Sequence, residues 1–192
     1  MFACSLGGQD SHCVTVTALA RLDDVDPHRD PASRARALGV SREAVELCLA
    51  SDVIELNVES FIWTRVLGYD LRKRHGRGFL GGRYFSQVDL PRLHEAGVGS
   101  AIWSITTNPF RSRASRARTF VKNLARLRAI FASVDDKVSV VRNVREHAAA
   151  RAQGKHAAFI GVQGGNAFDA AIEAGERDPN ALFDALDDTL IR

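Results

Sequence analysis

The stretch Val53 to Phe61, VIELNVESF, constrains this chain more than any other. Val53, Ile54, Leu56 and Val58 read as a buried strand. Glu55, Asn57 and Glu59 interrupt it, so that polar side chains gather where the strand ends and the chain leaves it. In parallel α/β proteins helices seal the strand middles while strand ends open into a crevice, so a polar trio at a strand's C-terminal end marks where chemistry belongs. The rest of the chain is expected to be scaffold around that point.

Residues 1 to 30 read as a weakly ordered leader, with an apolar patch from Val14 to Leu22 and the acidic turn DDVDPHRDP. From there to the C-terminus a single domain is expected. Pro31 suits a helix first turn, and Gly39 with Ser41 mark a break and a new N-cap, giving a helix pair that feeds the Val53 strand. The glycine-rich basic segment from Phe61 to Phe85 suits a loop with a short helix over a strand end. Ser86 to Ala96 reads as a short helix ended by Gly97. Val98 to Thr106 reads as a second strand, and helical spacing follows over Thr119 to Ser133 and Val138 to Gly154. Ala157 to Gln163 is the third strand, closed by Gly164 and Gly165, and a last helix is expected over Pro179 to Arg192. Alternating strand and helix implies parallel pairing through crossovers.

With 192 residues and 45% hydrophobic content the chain can bury a core. A net charge of +3 is weak for a nucleic-acid binder, and no nucleic-acid partner is expected. Cys4, Cys13 and Cys48 show no metal-knuckle or disulfide spacing, which fits a reducing compartment; Cys48, on an apolar helix face, reads as a small core residue. No apolar run of about 18 residues occurs and no signal-peptide pattern opens the chain. A cytoplasmic protein without a membrane partner is therefore expected.

Three blocks, VIELNVESFIW, QVDLPRLHEAGVGSAIWSI and FIGVQGGNAFD, resemble in order and spacing the membrane dipeptidase (renal dipeptidase) family. The middle block, with Asp89, Pro91, Arg92, Leu93, Gly97, Gly99 and Trp103, carries most of the likeness. The resemblance implies a partial (β/α)8 TIM-type barrel of the amidohydrolase kind, made of its first three parallel strands with flanking helices. It also implies dipeptide hydrolysis at a two-zinc centre. In that family the first strand ends in Asp-x-His-x-Asp, whose His and second Asp bind zinc, and the third ends in a Glu that bridges both metals. The matching positions here are Asn57, Glu59 and Gln163, with Glu55 and Asp89 as neighbours of the site.

Each matching position departs from the pattern. A two-metal hydrolase needs anionic carboxylates and imidazoles to offset the cations, so that a shared water ionises near neutral pH. Asn57 offers a neutral amide oxygen, a poor zinc ligand. Glu59 keeps its charge one methylene further out. Gln163 has one acceptor and an NH2 where a bridging carboxylate has two acceptors. The (β/α)8 fold typically takes about 250 residues, and none of the six histidines matches the further zinc histidines of the family. The expectation is therefore a truncated homologue, inactive as written, with zinc weakly held or absent and no residue assigned a catalytic role.

Two alternatives remain. The chain is one half of a split metallodipeptidase completed by a second chain, or it is a non-catalytic module whose basic loop, Arg72 to Arg83, docks an anionic or protein partner. An uncovered sheet edge predicts self-association or a complementing chain.

Overall fold

The computed structural model describes residues 30–76, 88–108 and 110–169, and the backbone of 189–191. The expected leader lies almost wholly outside the described residues, as do 77–87 of the basic loop. Helices α1 (Pro31–Leu38) and α2 (Arg42–Ala50) lead into strand β1 (Val53–Val58), followed by α3 (Phe61–Leu67). Helix α4 (Leu90–Ala96) leads into β2 (Val98–Thr106), and α5 (Arg113–Ala132) into β3 (Val138–Val140). Helix α6 (Val144–Ala152), β4 (His156–Gln163) and β5 (Thr189–Ile191) complete the set.

The helix starts follow the sequence signals. The Asp30 carboxylate accepts from Ser33 N at 3.1 Å, with Pro31 in the first turn, and Gly39 closes α1 in the left-handed region at φ 69°. Ser41 then caps α2 by accepting from Ala44 N. Helix α4 starts at Leu90, later than the expected Ser86, because Asp89 is its N-cap.

All strand pairs are parallel, in the order β1-β2-β4-β3, with β5 also on β4. Strand β2 occupies one edge of β4 from Ala157 to Gln163. The other edge is shared in succession: β3 pairs with His156 to Ala158, and β5 with Ile160 to Val162. The three expected strands are therefore joined by two short ones.

Both short strands correct the sequence reading. Val138, Val140 and Val141 fit helical spacing as well as strand alternation, so a helix was expected from Val138. The structure starts that helix at Val144, where the Asn143 side chain accepts from Glu146 N at 3.0 Å. A capping residue three positions before a glutamate is the overlooked start signal. The expected helix over Pro179 to Arg192 is overturned at its end, where Thr189–Ile191 is a strand; residues 179–188 lie outside the described set.

One face of the sheet carries the main core. Ala101, Trp103 and Ile105 of β2 and Ala158, Ile160 and Val162 of β4 alternate onto it. Helix α5 covers them with Phe120, Leu124, Leu127 and Phe131, spaced to lie along one stripe. Trp103 meets Phe131 edge to face, centroids 5.3 Å apart. Each such large side chain contributes roughly 1.5–3 kcal/mol on burial. On the opposite face α6 packs Ala150 against Ala157 and Val141, and His147 stacks on Phe159.

Two readings of the apolar pattern fail at β1 and α2. Ile54 and Leu56, expected to be buried, are 42% and 59% exposed. Among the described strands β1 pairs only with β2, and its register slips twice, so its side chains are covered from one side alone. On α2 only Val45 is buried; Leu47 is 70% exposed and Cys48 is an exposed thiol rather than a core residue. No described element covers that face.

His156 is locked in one tautomer. The Trp103 indole N–H donates to its Nε2 at 3.1 Å, and its Nδ1 faces the Val98 carbonyl at 3.2 Å, so Nδ1 carries the proton. Burial, helped by the Arg151 charge and opposed by the Val98 carbonyl, pulls the imidazole down to about 4. The unfolded chain protonates this group below its ordinary value of about 6.5 while the folded chain resists. Stability is thus full above that pH and falls as pH drops towards 4, by up to roughly 3 kcal/mol. Urea unfolding across pH 7 to 4 is expected to show this slope in the wild type and a flatter one in His156→Leu, even though that variant starts less stable.

Candidate functional site at the strand ends

The C-terminal ends of β1, β2 and β4 gather the polar residues. Alternation on β2 turns Ser104 and Thr106 away from the face that carries Trp103 and Ile105. Asn57 and Ser104 meet first: the Ser104 hydroxyl donates to the Asn57 amide oxygen at 2.7 Å. Thr106 stands one step further along, within hydrogen-bonding reach of Glu59 at 3.3 Å and of Gln163 at 3.4 Å. The register pairs Thr106 directly with Gln163, which is why the two meet.

Thr106 has a single hydroxyl proton, and the Glu59 carboxylate is its better acceptor. Turning the Gln163 amide over presents its NH2 to the hydroxyl oxygen, completing a chain from Gln163 through Thr106 to Glu59. A carboxylate at position 163 has no such donor to offer. The same threonine's carbonyl accepts from the Arg65 guanidinium at 3.1 Å, so Thr106 ties an acid and a base without their touching.

Of the sequence candidates, the structure brings Asn57, Glu59 and Gln163 onto this row. Glu55 does not join them: its carboxylate folds back to accept from the Asn57 backbone N–H at 3.1 Å. Gln163 lies within hydrogen-bonding reach of Thr106. Ser104 and Thr106 were missed, although their alternation with Trp103 and Ile105 is visible in the sequence. Beyond Gln163 the chain turns at Gly164, φ 92°, where a Cβ would crowd Thr107 and Asn166. Those two side chains are themselves hydrogen-bonded.

Asp89 sits apart from the row, fully buried. Its carboxylate accepts from Arg92 N and Nε (2.9 and 2.8 Å), from His75 N (3.0 Å) and from the Tyr69 hydroxyl (3.3 Å). Burial, with the Asp89 charge, pushes the Tyr69 phenol up to about 12. This cluster anchors the segment after α3, and Val88 N donating to Ser60 Oγ ties it to the end of β1. A cleft of about 860 Å³ opens at the other end of the sheet, among Leu90, Pro91, Val98, Val138 and His156. It faces the strand starts, the end that parallel barrels use for stability rather than chemistry.

The donor set at the strand tips offers one carboxylate, two amides and two hydroxyls. Among the described residues no three of His, Cys, Asp and Glu come together as a metal site. A pair of dications needs anionic and imidazole donors. These residues therefore do not fit a two-zinc centre.

A parallel sheet with helices between its strands and polar residues at the strand tips is an α/β arrangement of the kind that places chemistry at its strand ends. The family model for membrane dipeptidase (peptidase family M19) matches residues 42–174, and the chain belongs to that family. It is also similar to a solved amidohydrolase from Pseudomonas aeruginosa, with 24% identity and a TM-score of 0.41. That alignment covers 67% of this chain and 31% of the other, so the chain spans about a third of that protein's length. No curated protein matches the chain. No helix among the described residues is long and apolar enough to cross a membrane.

The Thr106 arrangement can be tested without any metal. Gln163→Glu would set two carboxylates around one hydroxyl, and their repulsion favours protonating one of them. The variant is expected to lose up to about 1 kcal/mol at pH 7, the partly solvated setting limiting the effect, and to regain wild-type stability near pH 4. Thermal unfolding at the two pH values checks it.

Proposed function

We propose that this chain is a membrane dipeptidase homologue whose own strand-end residues, Asn57, Glu59 and Gln163, do not assemble the two-zinc centre, and that it hydrolyses no dipeptide by itself. The observation that carries the reading is the Thr106 hydroxyl between Glu59 and Gln163, with the Asn57 oxygen engaged by Ser104. Binding dications there would require breaking these bonds while supplying too few anionic donors. Elemental analysis of the purified chain is expected to find far less than one zinc per chain, and Ala-Ala to remain uncleaved in added zinc. Two metals per chain together with dipeptide hydrolysis would overturn the reading.

A second reading, in which another chain completes the barrel, is favoured by the outer edge of β1, where Ile54 and Leu56 are exposed beside Glu55 and Asn57. Edges of this kind are normally covered. Purification from the native source is expected to bring down a companion polypeptide that confers zinc binding on the complex. Recovery of the chain alone, as a monomer, would count against completion.

The anion-docking reading of the basic loop has less support. Arg72 is held by Asp70 and Arg74 by Glu95, each at 2.8 Å. Arg77 and Arg83 lie outside the described residues.

A further inference from the structure

We infer that the cleft at the strand starts is the docking site of this chain's own N-terminal segment, with the apolar stretch Val14 to Leu22 laid against Leu49, Leu90, Val98 and Val134. The inference concerns the end of the sheet opposite the strand tips and stands whether or not metal binds there.

The cleft, of about 860 Å³, has room for several side chains of a short segment. Leu90, Val98 and Val134 pack on the main core from one side and line the cleft with the other. Leu49, exposed at the end of α2, adds a fourth apolar wall. His156 also lines the cleft, but its ring nitrogens are engaged by Trp103 and Val98 and ask for no polar partner. Arg72, Arg151 and Glu95 are held from outside the lining, by Asp70, Asp52 and Arg74. Concave surface whose apolar walls are half covered and whose polar groups are satisfied suits an apolar segment better than a charged small molecule.

The course of the chain supplies that segment. Arg34 of α1 donates to the Ala96 carbonyl at 3.3 Å, between the lining residues Glu95 and Gly97, which sets α1 beside the cleft. Asp30, the N-cap of α1, lies one turn before Arg34, about 6 Å along the helix axis. From there the seven residues Asp23 to Arg29 can span up to roughly 24 Å, so Leu22 comes within reach of the cleft. In the stretch itself apolar residues fall at every second position, Val14, Val16, Ala18, Ala20 and Leu22, and share one face when the chain is extended. Tethering holds that face at an effective concentration on the order of millimolar, an advantage no untethered partner has. Asp23, Asp24 and Asp26 follow directly. Lys137, an exposed lining residue, forms no ion pair among the described residues and is placed to meet them.

The test uses the full chain with Cys4, Cys13 and Cys48 replaced by serine. One thiol comes from Thr17→Cys, on the polar face of the stretch, and a second from Asp136→Cys at the cleft. Leu47→Cys is the control, on the same helix as Leu49 but turned about 200° away from it. A bismaleimide cross-link within one chain is expected to reach Asp136→Cys at least about tenfold faster than Leu47→Cys, and adding Leu22→Asp is expected to remove the difference. In the unmodified chain, amide hydrogen exchange over residues 14–22 is expected to be at least about tenfold slower than in the isolated Val14–Leu22 peptide, and to rise to the peptide's rate in Leu49→Asp. Should the thiol variants fail to fold, the exchange measurement carries the test alone. Equal or faster cross-linking to Leu47→Cys, or exchange in the unmodified chain at the peptide's rate, would overturn the inference. Cross-linking only between two chains would also overturn it, by giving the cleft to a second copy.

Discussion

The pairing of β2 with β4 is the constraint on which the rest depends. The two strands run in unbroken register from Ser100 opposite Ala157 to Thr106 opposite Gln163. Period-two alternation then sends Trp103 and Ile160 to the helical layer and Thr106 and Gln163 to the other face at the same step. A shift by one residue would put the Trp103 ring among the polar tips and expose the α5 stripe. Burial of Trp103, with its indole N–H satisfied by His156, fixes the register from below. The site at the top is a consequence of packing further down.

That ladder also explains why β1 behaves differently. It joins the sheet through β2 only and departs from regular register on either side of Ile54 and Glu55. Only Val58 is fully buried, delivered to the core beside Phe61. The first strand therefore enters the site through its last residues, Asn57 and Glu59, while Glu55 uses its charge on its own backbone. Ordering of the upper end of β1 rests on its bonds to Ser104 and Thr106 as much as on apolar burial.

Much of this was legible from residues alone. The core of β4 is an apolar run closed by a glycine turn, β2 is a mostly apolar run, and Pro31 and the cap at Ser41 announced their helices, whereas the Asp89 cap went unread. The three short blocks that resemble dipeptidases fall on β1 with α3, on α4 with β2, and on the end of β4. What the sequence hid has physical reasons. A three-residue strand such as Val138–Val140 has too few alternations to separate period 2 from period 3.6, so the capping pair after it had to decide. The exposure of Leu47, Cys48, Ile54 and Leu56 was hidden because an apolar face predicts burial only when something covers it. Thr106 escaped notice because threonine is at home in any strand, and its importance comes from what the neighbouring strands place beside it.

The distribution of charge at the strand tips follows from Thr106 standing between two opposite groups. Its hydroxyl serves Glu59 and its carbonyl serves Arg65, so the acid and the base are neutralised by dipoles instead of by each other. Direct pairing would have cancelled both charges locally; separation leaves the carboxylate on the Thr106 hydroxyl and the guanidinium on the Thr106 carbonyl. A cation entering the row meets amides and hydroxyls that already have partners, and gains too little to displace them. The strand tips thus offer mainly amides and hydroxyls where a centre for paired dications requires carboxylates and imidazoles, and they do so through the side chains that the β2–β4 register brings together.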